Sequence, residues 1–213
     1  LFGVKATRGL WGIIVTFLLK CVGVLVAALL MGFGSAYWAI NSGLGTALQN
    51  GAWHTDPNIG SEQADPYARA AVARAGLLAL NKSETVYFTA TQDDTGEPLS
   101  TACQYRLEGK PLATRWWSIT AYGADHYLIA NPQNRYSQAM NTVSRNADDS
   151  FTISVSPDGG GENGIPTGFV APSSDDNPGA DFSLTLRLYN PAEATYSNLG
   201  GIDLPTIAKE SCS

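Results

Sequence analysis

At 213 residues the chain is long enough for one well-cored domain with an appendage and too short for two large domains. Its net charge is −6, and no acid occurs before Asp56, so the chain lacks the clustered basic face that nucleic acid requires. The totals of 44% hydrophobic and 15% charged residues average two dissimilar parts, a greasy stretch up to Ile40 and a polar remainder whose acidic surface favours solubility.

From Leu10 to Ile40 the chain reads LWGIIVTFLLKCVGVLVAALLMGFGSAYWAI, with Lys20 its only charge. That run exceeds the roughly 20 residues a helix needs to cross a bilayer, so a transmembrane helix is expected, strongest over about residues 21–38. Trp11, Lys20, Tyr37 and Trp38 read as interface anchors: Lys20 extends toward the near headgroups, and Tyr37 and Trp38 fit the opposite aromatic belt. Lys5, Arg8 and Lys20 all precede the span, which places the N-terminus in the cytoplasm and the rest in the periplasm of a bacterial inner membrane. The competing reading is a cleaved secretory signal, whose apolar core is normally about 7–15 residues long. Gly23, Ala27, Ala28, Gly32 and Ala36 form pairs four residues apart, a pattern that lets a second helix approach closely. An intramembrane ion path through Lys20 is the alternative to snorkelling, but no acid in the span is there to pair with it.

Residues 41–64 are rich in Gly, Asn and Ser without period and read as a linker, so the exported domain is expected over 65–213. Asp65 caps and Pro66 opens one short helix running to about Leu80. Strands are expected over 85–91, 100–107, 115–122, 126–130, 151–156 and 182–189, separated by turns such as DDTGEP, EGKP and PDGGGENG. The last alternates: Phe182, Leu184, Leu186 and Leu188 fall on one face, Ser183, Thr185, Arg187 and Tyr189 on the other. One buried and one wet face means antiparallel sheets, and strands without interleaved helices mean a sandwich or jelly roll.

Cys21 lies in the span, whereas Cys103 and Cys212 share the oxidising side and are expected to pair, two buried free thiols being the alternative.

The residues offer no catalytic constellation and call for no cofactor or metal. His54 and His126 lack ligand spacing, and Asp125 beside His126 would face the other side of a strand. Asp158, Glu162, Asp175, Asp176 and Asp181 lack a calcium-loop pattern and read as solvated acids. Trp53, Trp116, Trp117, Tyr122 and Tyr127 could stack on a sugar ring or pigment, although adjacent Trp116 and Trp117 must face opposite sides of their strand. Arg69, Arg74, Arg115 and Arg135 with Tyr136 offer an anion site, against the plainer reading of pairing with the domain's acids.

Over nearly all of residues 50–212 the chain resembles the bacterial family called domain of unknown function 1214. The resemblance is carried by GAWHTDPNIGSEQADPYARAAVARAGLLALNKSETVYFTAT, DDTGEPLSTACQYRL, RWWSITAYGADHYLIANPQNRYS, FSLTLRLYNP and LPTIAKESC. It implies a jelly-roll-like β-sandwich and export from the cytoplasm, and supplies neither an activity nor catalytic residues. Larger relatives carry a preceding domain of unknown function 1254; a membrane anchor in its place looks like a short alphaproteobacterial form. Where family members tend to have a Trp before Pro-Thr-Gly, this chain has Gly164 and Ile165, so no ligand contact by that Trp carries over.

The expectation is a mainly β, jelly-roll-like sandwich with one short helix behind a single transmembrane helix. It would serve as an accessory subunit of a larger inner-membrane complex, photosynthetic or respiratory, in contact with the lipid bilayer. The alternative is a tethered binding domain or hydrolase for an envelope carbohydrate or ester.

Overall fold

The computed structural model describes residues 4–41, 48–74, 76–77, 79–168 and 179–212. The chain divides into two compact units, Leu1–Leu44 and Gly45–Ser213.

The first unit is one helix, α1 (Val4–Asn41), and its stretch Trp11–Ala39 is long and apolar enough to cross a membrane. Along it Phe17, Leu25, Leu30 and Phe33 all stand exposed. The hydroxyls of Thr16 and Ser35 donate to the carbonyls of Gly12 and Gly32, which satisfies them without water.

The second unit packs two sheets. The larger has the order β1 (Leu48–Asn50), β2 (Trp53–Thr55), β3 (Thr85–Ala90), β9 (Phe182–Pro191), β5 (Thr114–Gly123), β6 (Ser137–Ala139). The smaller has the order β10 (Thr206–Cys212), β4 (Cys103–Gly109), β7 (Phe151–Ser156), β8 (Gly164–Pro166). Alternation decides which face meets which: Val86, Phe88, Trp117, Ile119, Leu184, Leu186 and Leu188 of the larger sheet share one core with Tyr105, Leu107, Phe151, Ile153, Val155 and Ile207 of the smaller. Rings span the layers, Trp117 stacking on Phe151 at 4.6 Å and Tyr105 meeting Phe182 edge-on at 5.8 Å. The expected mainly β sandwich is the fold, with the apolar helix at its N-terminus.

Four local expectations need correction. Residues 41–64 are not a linker throughout: β1 and β2 extend the larger sheet, and Trp53 is buried with its indole N–H donating to the Pro205 carbonyl at 2.6 Å. The helix α2 (Pro66–Arg74) starts as expected, Asp65 accepting from the Tyr67 and Ala68 amides, but stops six residues before Leu80. Gly76, at φ +61°, ends it: the Gly76 and Leu77 amides turn back to the Ala73 and Val72 carbonyls, a Schellman cap. Residues 126–130 form no strand; His126 sits at φ 65° in a tight turn closed by the Gly123 amide on the Tyr127 carbonyl, so the alternation argument separating it from Asp125 does not apply. Finally, β8 runs parallel to β7, whereas every other paired strand is antiparallel among the described residues. Gly159, Gly160 and Gly161 all take positive φ, which lets a very short connection loop back alongside β7. Two further short helical pieces, α3 (Glu193–Ser197) and a 3-10 turn (Leu199–Gly201), join β9 to β10.

Candidate functional site

Residues directly opposite in a sheet share a face. Arg187 and Thr185 of β9 face Tyr87 and Thr89 of β3 on one side and Ser118 and Thr120 of β5 on the other, and Ser183 faces Tyr122. The outer face of the larger sheet therefore carries one cation among tyrosines and hydroxyls. Gly76 and Leu77 beyond α2, Pro98, and Gly123, Ala124 and His126 of the turn after β5 line a cleft with this face, of about 390 Å³. That size lies within the usual range of small-ligand clefts, about 300–1,000 Å³.

Arg187 is held in place at its floor. Its Nη2 donates to the Tyr122 hydroxyl at 2.9 Å, Nη1 reaches Thr120 Oγ1 at 3.4 Å, and the guanidinium carbon stands 5.5 and 5.9 Å from the ring centroids of Tyr122 and Tyr87. Each ring face attracts the cation by about 0.5–2 kcal/mol. Tyr87 is itself fixed, being buried and accepting the Leu80 amide on its hydroxyl at 2.8 Å. Among the described residues no carboxylate comes within 4 Å of Arg187.

The residues singled out from sequence do not gather here as a group. Trp53 and Trp117 are core, while Trp116 is partly exposed on the outer face, tilted against Tyr189 at 5.1 Å and donating to Asn141 Oδ1. The opposite facing of Trp116 and Trp117 follows the strand alternation. Tyr122 joins the cleft and Tyr127 stands free in solvent. Of the arginines, Arg135 donates to the Glu162 and Gly159 carbonyls and so ties down the glycine loop, and Arg69 donates to the Ala64 and Glu62 carbonyls beside α2. Arg115 is exposed at the start of β5, and Tyr136 donates to Asn134 Oδ1.

Asp158 accepts from Ser156 Oγ and the Gly160 amide, and these hydrogen bonds hold its carboxyl below the usual range. Asp181 is exposed at the cleft's edge, and Asp175 and Asp176 lie outside the described residues. Among the described residues no three of His, Cys, Asp and Glu converge as a metal site would require. His126 reaches the cleft; His54, on β2, lies half-buried opposite Thr89.

Cys103 and Cys212 are bonded as a disulfide between directly opposite residues of β4 and β10, and Cys21 is free and exposed. On α1, Gly23, Ala27, Ala28 and Gly32 are exposed and Ala36 half-buried; a Cβ added at Gly23 or Gly32 would touch nothing in the chain. Trp11, Lys20, Tyr37 and Trp38 are exposed as well.

Arg187 was visible in sequence only as one polar residue on the wet face of β9. What singles it out is its central strand and its tyrosine neighbours, and both depend on pairings between distant segments.

A two-sheet sandwich with an apolar N-terminal helix and a ligand-sized cleft defines a class of architecture rather than a reaction. Residues 84–193, over half of the chain, match the family described as "Protein of unknown function (DUF1214)", and the chain belongs to that family. Among solved structures it is similar to the VPA0106 protein from Vibrio parahaemolyticus, at 25% identity and a TM-score of 0.53, over 70% of this chain and 36% of that one. An uncharacterized protein from Burkholderia cenocepacia aligns at 11% identity and a TM-score of 0.41, over 60% of this chain and 30% of that one. The chain thus spans about a third of the length of these two proteins. No curated protein matches it.

Proposed function

We propose that this chain is a single-pass accessory subunit of a bacterial inner-membrane complex, photosynthetic or respiratory, of the short alphaproteobacterial form of its family. Its helix packs in the membrane and its sandwich covers the periplasmic side. The observation that carries this reading is α1 itself, whose stretch Trp11–Ala39 is long and apolar enough to cross a membrane and exposes large side chains such as Phe17, Leu25 and Phe33. Such a surface needs lipid or protein around it. From Trp11 to Trp38 the helix rises about 40 Å at 1.5 Å per residue, close to the roughly 40–45 Å between the outer edges of the headgroup regions. The cations Lys5, Arg8 and Lys20 precede most of the span, which favours a cytoplasmic N-terminus. The disulfide fits an oxidising compartment for the domain.

The face for a partner helix is the stripe Gly23, Ala27, Ala28, Gly32 and Ala36, because helices in lipid associate through close backbone packing. Gly32→Leu keeps the span apolar but adds bulk on that stripe; membrane insertion should persist while co-migration with the host on native gels, identified by mass spectrometry, falls. Val26→Leu, off the stripe, should co-migrate as the wild type does. Full association of Gly32→Leu would reduce the helix to a tether.

A second reading is favoured by the cleft over the larger sheet: a domain that binds or hydrolyses an envelope carbohydrate or ester, held at the membrane by α1. It predicts that the solubilised chain runs alone on the same gel.

A further inference from the structure

We propose that the cleft over β3, β9 and β5 binds a small organic carboxylate with a compact apolar body, its carboxylate pairing with Arg187. This rests on the second reading, that of a ligand-binding domain, and holds whether or not α1 docks on a partner.

An arginine offers five N–H donors in a planar fork, and among the described residues Arg187 directs hydrogen bonds to two side-chain hydroxyls, those of Tyr122 and Thr120. Neither supplies negative charge. The rings of Tyr87 and Tyr122 hold the guanidinium in place and partly shield it from water, which strengthens any ion pair it makes. The other titratable groups lining the cleft are His126 and Asp181. Asp181 forms no ion pair with Arg187 within 4 Å. The cleft thus carries a positioned cation that no carboxylate among the described residues approaches within 4 Å.

The lining also limits which anion fits. Among the described residues no lysine and no second arginine line the cleft, so one guanidinium meets the ligand, as suits a carboxylate monoanion rather than a phosphate dianion. Thr89, Thr185 and Ser183 line the same cleft and offer hydroxyls to a second carboxylate lone pair. Leu77, Pro98 and the Tyr122 ring supply apolar wall, which selects a ligand with an apolar body over a bare ion.

The probe is benzoate, with benzamide as its uncharged counterpart and methyl glucoside as a neutral sugar, titrated by calorimetry against the full chain in lipid nanodiscs. Benzoate should bind, benzamide more weakly, and Arg187→Gln should weaken benzoate by about ten- to a hundredfold, the loss expected for a charge-assisted hydrogen bond, while leaving benzamide unchanged. Arg187→Lys should restore part of the benzoate affinity, since it returns the charge without the fork. If Arg187→Gln fails to fold, Leu77→Trp adds bulk to the cleft's lining while keeping the cation and should abolish benzoate binding. The proposal is overturned if benzoate binds no better than benzamide, or if Leu77→Trp or a folded Arg187→Gln binds it as the wild type does. Methyl glucoside binding without benzoate binding would overturn it too while leaving the carbohydrate reading standing; binding of none of the three would end both.

Discussion

Phe151 lays its ring across Gly109, its directly opposite partner on the neighbouring strand, leaving no room between them for a Cβ. The same ring stacks on Trp117 of the other sheet, so the glycine sets how far Phe151 can settle between the layers. Gly109→Ala should cost about 1–3 kcal/mol as overpacking of a filled core, lowering the melting temperature by about 2–4 °C for each kcal/mol in a domain of this size. Circular dichroism on the full chain measures it. Adding Phe151→Leu to Gly109→Ala should relieve part of the crowding, giving less than the sum of the two separate losses. Strict additivity would remove the steric explanation.

The Cys103–Cys212 bond closes a loop with a sequence separation of 109 and fixes the end of β10 to the start of β4. By loop-closure entropy a crosslink of that span contributes about 4–5 kcal/mol, an upper figure. Labelling of the unfolded chain should detect one thiol, Cys21, without reductant and three with it. Cys103→Ser should melt at lower temperature, and its two remaining thiols should label with or without reductant. Three reactive thiols in the untreated wild type would show that the bond does not form.

The elements visible in the sequence are those whose signal is local. Phe182 to Leu188 alternates strictly because β9 lies between two layers of different polarity, and Asp65-Pro66 marks a helix start because both residues act within one turn. β1 and β2 span three residues each, too short for a period, and what holds them is the Trp53 indole on a carbonyl far along the chain. β10 is an edge strand in which only Ile207 is buried, and its register shifts between Lys209 and Ser211, so its residues carry little of the apolar pattern of a core strand. The cleft was illegible for the same reason: Tyr87, Tyr122 and Arg187 come from three strands, and only their register places them together.

The direction of insertion can be tested through the cations. With Lys5, Arg8 and Lys20 as the retaining charges, a reporter active only in the periplasm should give signal when fused after Ser213, and one active only in the cytoplasm should not. Replacing Lys5 and Arg8 by Gln should weaken the bias and yield a mixed population. A cytoplasmic signal from the wild-type fusion would reverse the orientation.

Asp93 provides the acid dependence. Its carboxylate is buried in the turn after β3, where Oδ1 accepts from the Thr95 hydroxyl and from the Thr95 and Glu97 amides, and Oδ2 faces the Lys209 ammonium of β10 at 3.8 Å. Burial alone pushes its pKa up, but these hydrogen bonds, helped by the Lys209 charge, outweigh it and hold the group below its ordinary value of 3.8. A carboxyl more acidic in the folded chain than in the unfolded one contributes stability that is fully present above the unfolded value. That contribution is lost as pH falls from there through the folded value, because the unfolded chain then binds the proton first. Urea unfolding followed by tryptophan fluorescence should therefore show a wild-type stability that declines below about pH 4. Asp93→Asn should be less stable at neutral pH by about 1.5–3 kcal/mol, the range for hydrogen bonds to a charged group, and should decline less steeply in acid. Equal slopes for the two proteins below pH 4 would mean that the acid dependence arises from other carboxylates, such as Asp148 and Asp158, which hydrogen bonds also hold below their ordinary values.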